Sequence, residues 1–180
     1  LRPLFHGRGA LVCPIMKRFA SLFSALDQTT RTTEKVSALA DYLAGASDTD
    51  RLWTIALMSG RRPKRTVTAN RLREWAAEQA GIPLWLFEES YPIVGDLAET
   101  IALVLPAPKG SSSRTLTEWV NEIRSLAALE EDGRKTHILN AWDQLDTPER
   151  FIFNKIITGG FRIGVSQKLM TRALSQATGI

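Results

Sequence analysis

No run of apolar residues in this sequence approaches the ~20 needed for a helix to cross a bilayer, so the pattern offers no membrane span. Cysteine is almost absent. Cys13 stands alone, which excludes an internal disulfide, and with only two histidines beside it no structural-metal spacing can be composed. This usage fits a soluble protein of the reducing cytoplasm. There is no Gly-x-x-x-x-Gly-Lys-Ser/Thr loop and no Gly-x-Gly-x-x-Gly after a strand pattern, so the usual phosphate cradles of nucleotide enzymes are missing. Catalytic groupings are missing as well. His137 lies in a helical stretch with no cysteine or serine pair nearby and reads as a surface or capping residue. Glu88 and Glu89 are neighbours, which on a helix point about 100° apart and cannot share a substrate. No signature recurs at the helical-repeat periods of about 33 to 47 residues, which excludes a solenoid.

What remains is 180 residues of ordinary globular composition, 44% hydrophobic and 23% charged, long enough to bury one sizeable core. The formal charge of +4 suits a polyanionic partner and an ordinary solvated surface equally, so the placement of the charges matters more than their sum. The first fifteen residues carry Pro3, Gly7, Gly9 and Pro14 without helical periodicity, and their longest apolar stretch is too short for a signal peptide. They read as a disordered or non-native extension, with the folded domain spanning 16–180.

From Met16 onward apolar residues recur at helical spacing: Phe19/Leu22/Phe23/Leu26, Val36/Leu39/Leu43, Leu72/Trp75/Ala76, Leu97/Ile101/Val104, Leu116/Trp119/Val120/Ile123, Leu139/Trp142, Phe153/Ile156/Ile157 and Leu169/Met170/Ala173. Asp96 with Glu99, and Thr115 with Glu118, have capping-box spacing, and Asp146 precedes a first-turn proline, Pro148. Gly60, Gly81, Gly110 and Gly133 are expected to end or separate the runs. The expectation is an all-α domain of about nine or ten helices in two packed lobes, divided at the Pro/Gly/Ser-rich connector 106–113. The five tryptophans fall mostly on apolar stripes and are expected in the core.

Three features could meet a ligand. The segment 155–168, KIITGGFRIGVSQK, reads as a helix end, a glycine-bearing turn and a new helix starting near Ser166. Exposed amides there, with Arg162 and Lys168 alongside, would suit an anion; an equally good reading is a plain corner with a glycine C-cap and a solvated Arg162. Gly95 precedes a second helix start, where its amide is the candidate contact while Asp96 caps its own helix. The run Arg61, Arg62, Pro63, Lys64, Arg65, followed by Arg71 and Arg73, is the densest positive stretch, divided evenly between a solvated face and phosphate contact. Arg134 and Lys135 are a weaker instance of the same kind.

The stretches 86–99, LFEESYPIVGDLAE, and 157–174, ITGGFRIGVSQKLMTRAL, resemble the N-terminal DNA-binding domain of ATP-dependent DNA ligases, especially bacterial ones, and the order of the intervening features matches over 16–180. The resemblance implies an all-helical domain lying along the minor groove of nicked duplex DNA. Backbone contacts would then fall at Gly95, Gly160, Arg162, Gly164 and Lys168, with Arg134 and Lys135 as additional phosphate partners. It also implies a nucleotidyltransferase domain and an OB-fold elsewhere in the parent chain, using ATP and magnesium, where the lysine of Lys-x-Asp-Gly accepts AMP. None of the seven lysines here stands in that motif, so no cofactor and no end joining is expected of this piece. The run Arg61, Arg62, Lys64 and Arg65 has no assigned counterpart in the resemblance, and its DNA-binding role rests on charge alone. Two other classes remain. A helical protein-interaction scaffold would need Trp85 and Phe87 exposed together, and a helix-turn-helix regulator would read bases with Gln167, Lys168, Arg172 and Gln176.

Overall fold

The structure, a computed structural model, describes residues 15–161 and 163–179. The expected extension up to residue 14, and Arg162, lie outside the described residues. Ten α-helices follow in order: α1 (Ile15–Asp27), α2 (Thr32–Gly45), α3 (Asp48–Met58), α4 (Ala69–Ala80), α5 (Leu84–Val94), α6 (Leu97–Val104), α7 (Leu116–Ser125), α8 (Glu131–Gln144), α9 (Thr147–Thr158) and α10 (Gln167–Thr178). One 3₁₀ turn, Leu126–Ala128, separates α7 from α8, and no strand occurs among the described residues.

Helix α9 explains the arrangement. It is buried around most of its girth, through Ile152, Phe153, Ile156 and Ile157 and also Arg150, Asn154 and Lys155. It packs against α6, α1 and α7, while α10 lies on α2, and α1 touches both α2 and α9. The buried apolar side chains form one continuous cluster. The connector 106–113 joins α6 to α7, and both helices pack on α9. The loop is strapped down because its backbone found partners, Gly110 N–H donating to the Asp143 carbonyl (3.0 Å) and the Arg150 guanidinium donating to the Pro106 carbonyl (2.7 Å).

Local chemistry sets the helix ends. Thr115/Glu118 and Asp146/Glu149 form complete capping boxes, and Asp96 accepts the Glu99 amide at the start of α6. Gly81 closes α4 at φ +67°. Gly133 is a correction: it sits in the first turn of α8 rather than ending a helix, because α8 begins two residues earlier at Glu131. Trp75, Trp119 and Trp142 are core residues and Trp53 is half-buried, but Trp85 is 64% exposed. Helix α5 begins Leu-Trp-Leu-Phe and buries only Phe87, so its other apolar residues cannot all face inward.

Candidate nucleic-acid interface

Helix α9 stops at Thr158 because Gly159 adopts φ +90° and Gly160 φ +106°, conformations closed to ordinary side chains. Phe161 and Ile163 then turn into the core, the Phe161 ring meeting Phe19 (6.1 Å between centroids) and Phe23 (5.7 Å). Gly160 and Gly164, on either side of these two anchors, face solvent. The Ser166 hydroxyl accepts the Leu169 amide (3.2 Å) and so starts α10, with Lys168 exposed in its first turn.

The basic run meets this same corner, although about ninety residues separate them in the chain. The Arg62 guanidinium donates to the Ile157 carbonyl (3.2 Å) and Arg65 to the Thr158 carbonyl (2.7 Å). Both oxygens belong to the negative end of α9, which would otherwise repel an anion. Arg62 lies so close to Gly159 that a Cβ there would stand 2.6 Å from its Cζ. From α2, the Lys35 ammonium donates to the Ile163 carbonyl (2.5 Å). An open cavity of about 770 Å³ is lined here by Arg62, Asp96, Lys155, Thr158, Gly159 and Gly160. A second groove, of about 800 Å³, runs between α3 and α10 with Arg61 and Gln167 in its wall.

Gly95, at φ +83° and exposed, adjoins the first cavity through Asp96. Arg134 is engaged otherwise: its guanidinium donates to the carbonyls of Leu126 (2.9 Å) and Thr66 (3.1 Å), which holds the basic segment from behind. Lys135 pairs with Glu78 at 2.6 Å. Most cations elsewhere are likewise paired, as Lys17 with Asp146, Arg71 with Glu74 and Glu131, and Lys109 with Asp143. Lys35, Arg61, Arg62, Lys64, Arg65 and Lys168 form no ion pair among the described residues, and neither do Arg18, Arg73, Arg124, Arg134, Arg150 and Arg172. Three of the first group, Lys35, Arg62 and Arg65, are held at the glycine turn by their carbonyl bonds. His137 is exposed, its Nδ1 2.5 Å from a Glu122 carboxylate oxygen. Trp85 is exposed but Phe87 is wholly buried, so the two do not make one docking patch. Gln167, Lys168, Arg172 and Gln176 are all exposed on α10.

The family described as DNA ligase N terminus matches residues 16–175. The chain belongs to this family. A curated relative from Koribacter versatilis (strain Ellin345), described as "Probable DNA ligase", is 25% identical over 172 residues, which covers 91% of this chain and 30% of that protein. The chain thus spans about 30% of the length of the relative it matches. In this ligase N-terminal domain the matched region takes in both glycine turns, the basic run and all of α2 to α9. In ligases that domain contributes to DNA binding. Two residues of the corner escaped the sequence pattern: Lys35, which reaches Ile163 from 128 residues away, and Lys155, a cation among the buried positions of α9. A lone charge inside an apolar helical stripe, four residues before a Gly-Gly turn, was the available signal for Lys155.

Proposed function

We propose that this chain holds nicked duplex DNA by its sugar-phosphate backbone along the minor groove, without sequence preference, as the N-terminal domain of an ATP-dependent DNA ligase. The parent enzyme would seal nicks in DNA repair, recombination and replication, in the cytoplasm at the nucleoid. One observation carries this reading: Lys35, Arg62 and Arg65, none with a carboxylate partner among the described residues, are brought together by carbonyl bonds at a corner that exposes Gly160 and Gly164. Such a corner attracts polyanions and lets a phosphate come close to the backbone. Gly95, Gly160 and Gly164 supply the close approach, Lys168, Arg61, Lys64 and Arg162 supply charge, and Arg62 and Arg65 use the donors left free by their carbonyl bonds. Arg134 and Lys135 contribute secondarily, since each already has a protein partner. Contacts of this kind position a protein without reading bases, as an enzyme that must seal any nick requires.

The nucleotidyltransferase and OB-fold domains belong to the rest of the parent chain, together with ATP and magnesium. No lysine of this chain stands in Lys-x-Asp-Gly, the motif whose lysine would accept AMP. Binding of nicked duplexes of two unrelated sequences, compared for wild type, Lys168→Glu and Gly160→Asp, tests the proposal. Each variant should weaken both duplexes alike, by roughly tenfold or more. Variants that bind like wild type, or a strong preference for one sequence, would overturn it.

A further inference from the structure

The cavity at the corner contains one feature that opposes anion binding. Among the described residues that line it Asp96 is the only acid, and its carboxylate would repel an approaching phosphate. Its Oδ1 accepts the Glu99 amide (3.0 Å) to cap α6, a task an uncharged Asn performs about as well. Its Oδ2 pairs with the Lys155 ammonium across the α6–α9 packing. The Lys155 side chain is 11% exposed, its ammonium 5.4 Å from the centroid of the Phe151 ring. A cation so nearly buried persists because it has a partner, and the partner is the Asp96 carboxylate.

We infer that Lys155 is a positioning residue for DNA binding: it acts through Asp96, cancelling that charge so that the cavity between the Gly95 turn and the Gly159–Gly160 turn accepts a phosphate of the DNA backbone. The inference rests on the DNA-binding reading above. With the pair neutral, Arg62 is the charge left among the described residues that line the cavity. Lys155 itself meets no phosphate, which separates it from the surface cations.

The test is a double-mutant cycle on the 180-residue chain, with nicked-duplex Kd measured at fixed salt well below each variant's thermal midpoint. Lys155→Gln, which leaves Asp96 uncompensated, should weaken binding roughly tenfold or more. Lys155→Arg should stay near wild type. Asp96→Asn should bind as tightly as wild type or more tightly, and Asp96→Asn combined with Lys155→Gln should recover most of the lost affinity. Recovery is the readout that a merely structural role would not give. A Lys155→Gln protein that binds like wild type overturns the inference, and so does a double variant as weak as Lys155→Gln, which would make Lys155 a direct phosphate contact. If Lys155→Gln does not fold, Asp96→Asn alone decides: binding weaker than wild type overturns it. Wild type with no salt-sensitive binding would sink the DNA reading itself, a different outcome from wild-type binding that Lys155→Gln leaves unchanged.

Discussion

Gly159 and Gly95 both hold left-handed φ, +90° and +83°, yet a methyl group would meet different surroundings at each. At Gly95 nothing lies within 4 Å, so Gly95→Ala should cost only the backbone term, about 1–2 kcal/mol. At Gly159 the added Cβ would also run into the Arg62 guanidinium, already committed to the Ile157 carbonyl. Gly159→Ala should therefore lower the urea midpoint further than Gly95→Ala and also weaken DNA binding by displacing Arg62; equal midpoints would contradict this. Tyr42 makes a pH prediction. Burial, aided by the neighbouring Asp50 carboxylate, pushes its hydroxyl from 10.0 up to about 12. Between those values the unfolded chain has lost the proton and the folded one has kept it. The stability tied to Tyr42 is therefore whole below pH 10.0 and is lost as pH rises toward about 12. Wild type should lose roughly 2–3 kcal/mol more than Tyr42→Phe across that window, as read by denaturant melts. Parallel curves would rule it out.

Among the helices, starts were legible wherever the cap and its partner lie three residues apart. Thr115 and Asp146 signal their boxes in the sequence because both members are local, and Thr115→Ala should cost about 1 kcal/mol in a thermal melt. Gly133 was misjudged because a glycine in the first turn of one helix looks the same as a glycine after the last turn of another. Since it gains nothing from being glycine, with helical backbone and its nearest neighbour, Leu129, at an ordinary 3.4 Å, Gly133→Ala should stabilise the protein by about 0.5–1 kcal/mol. A lower midpoint would show that the α8 start tolerates no methyl group. The exposed Trp85 was missed for a related reason: in an all-apolar turn, periodicity cannot tell which residue faces in, and packing chose Phe87.

Across the protein as a unit, the helical class and the glycine corner could be read from pattern, but what assembles the corner could not. Arg62 and Arg65 reach the end of α9 from the α3–α4 loop, Lys35 reaches Ile163 from α2, and Arg134 holds Thr66 from α8. Each is a long-range bond to a backbone carbonyl, which no local residue spacing encodes. The result is a nearly balanced charge overall, +4, with Lys35, Arg62 and Arg65 brought together around the end of α9 and its glycine turn. That concentration makes a quantitative claim on binding. The most direct check is the affinity of the chain for nicked duplex over a series of salt concentrations, for wild type and for Lys64→Ala with Lys168→Ala. If the corner neutralises about six phosphates, the double-logarithmic slope should be near −5, and the double variant should bind more weakly with a slope shallower by about 1.8. A flat response in wild type, or a double variant with unchanged slope and affinity, would contradict it.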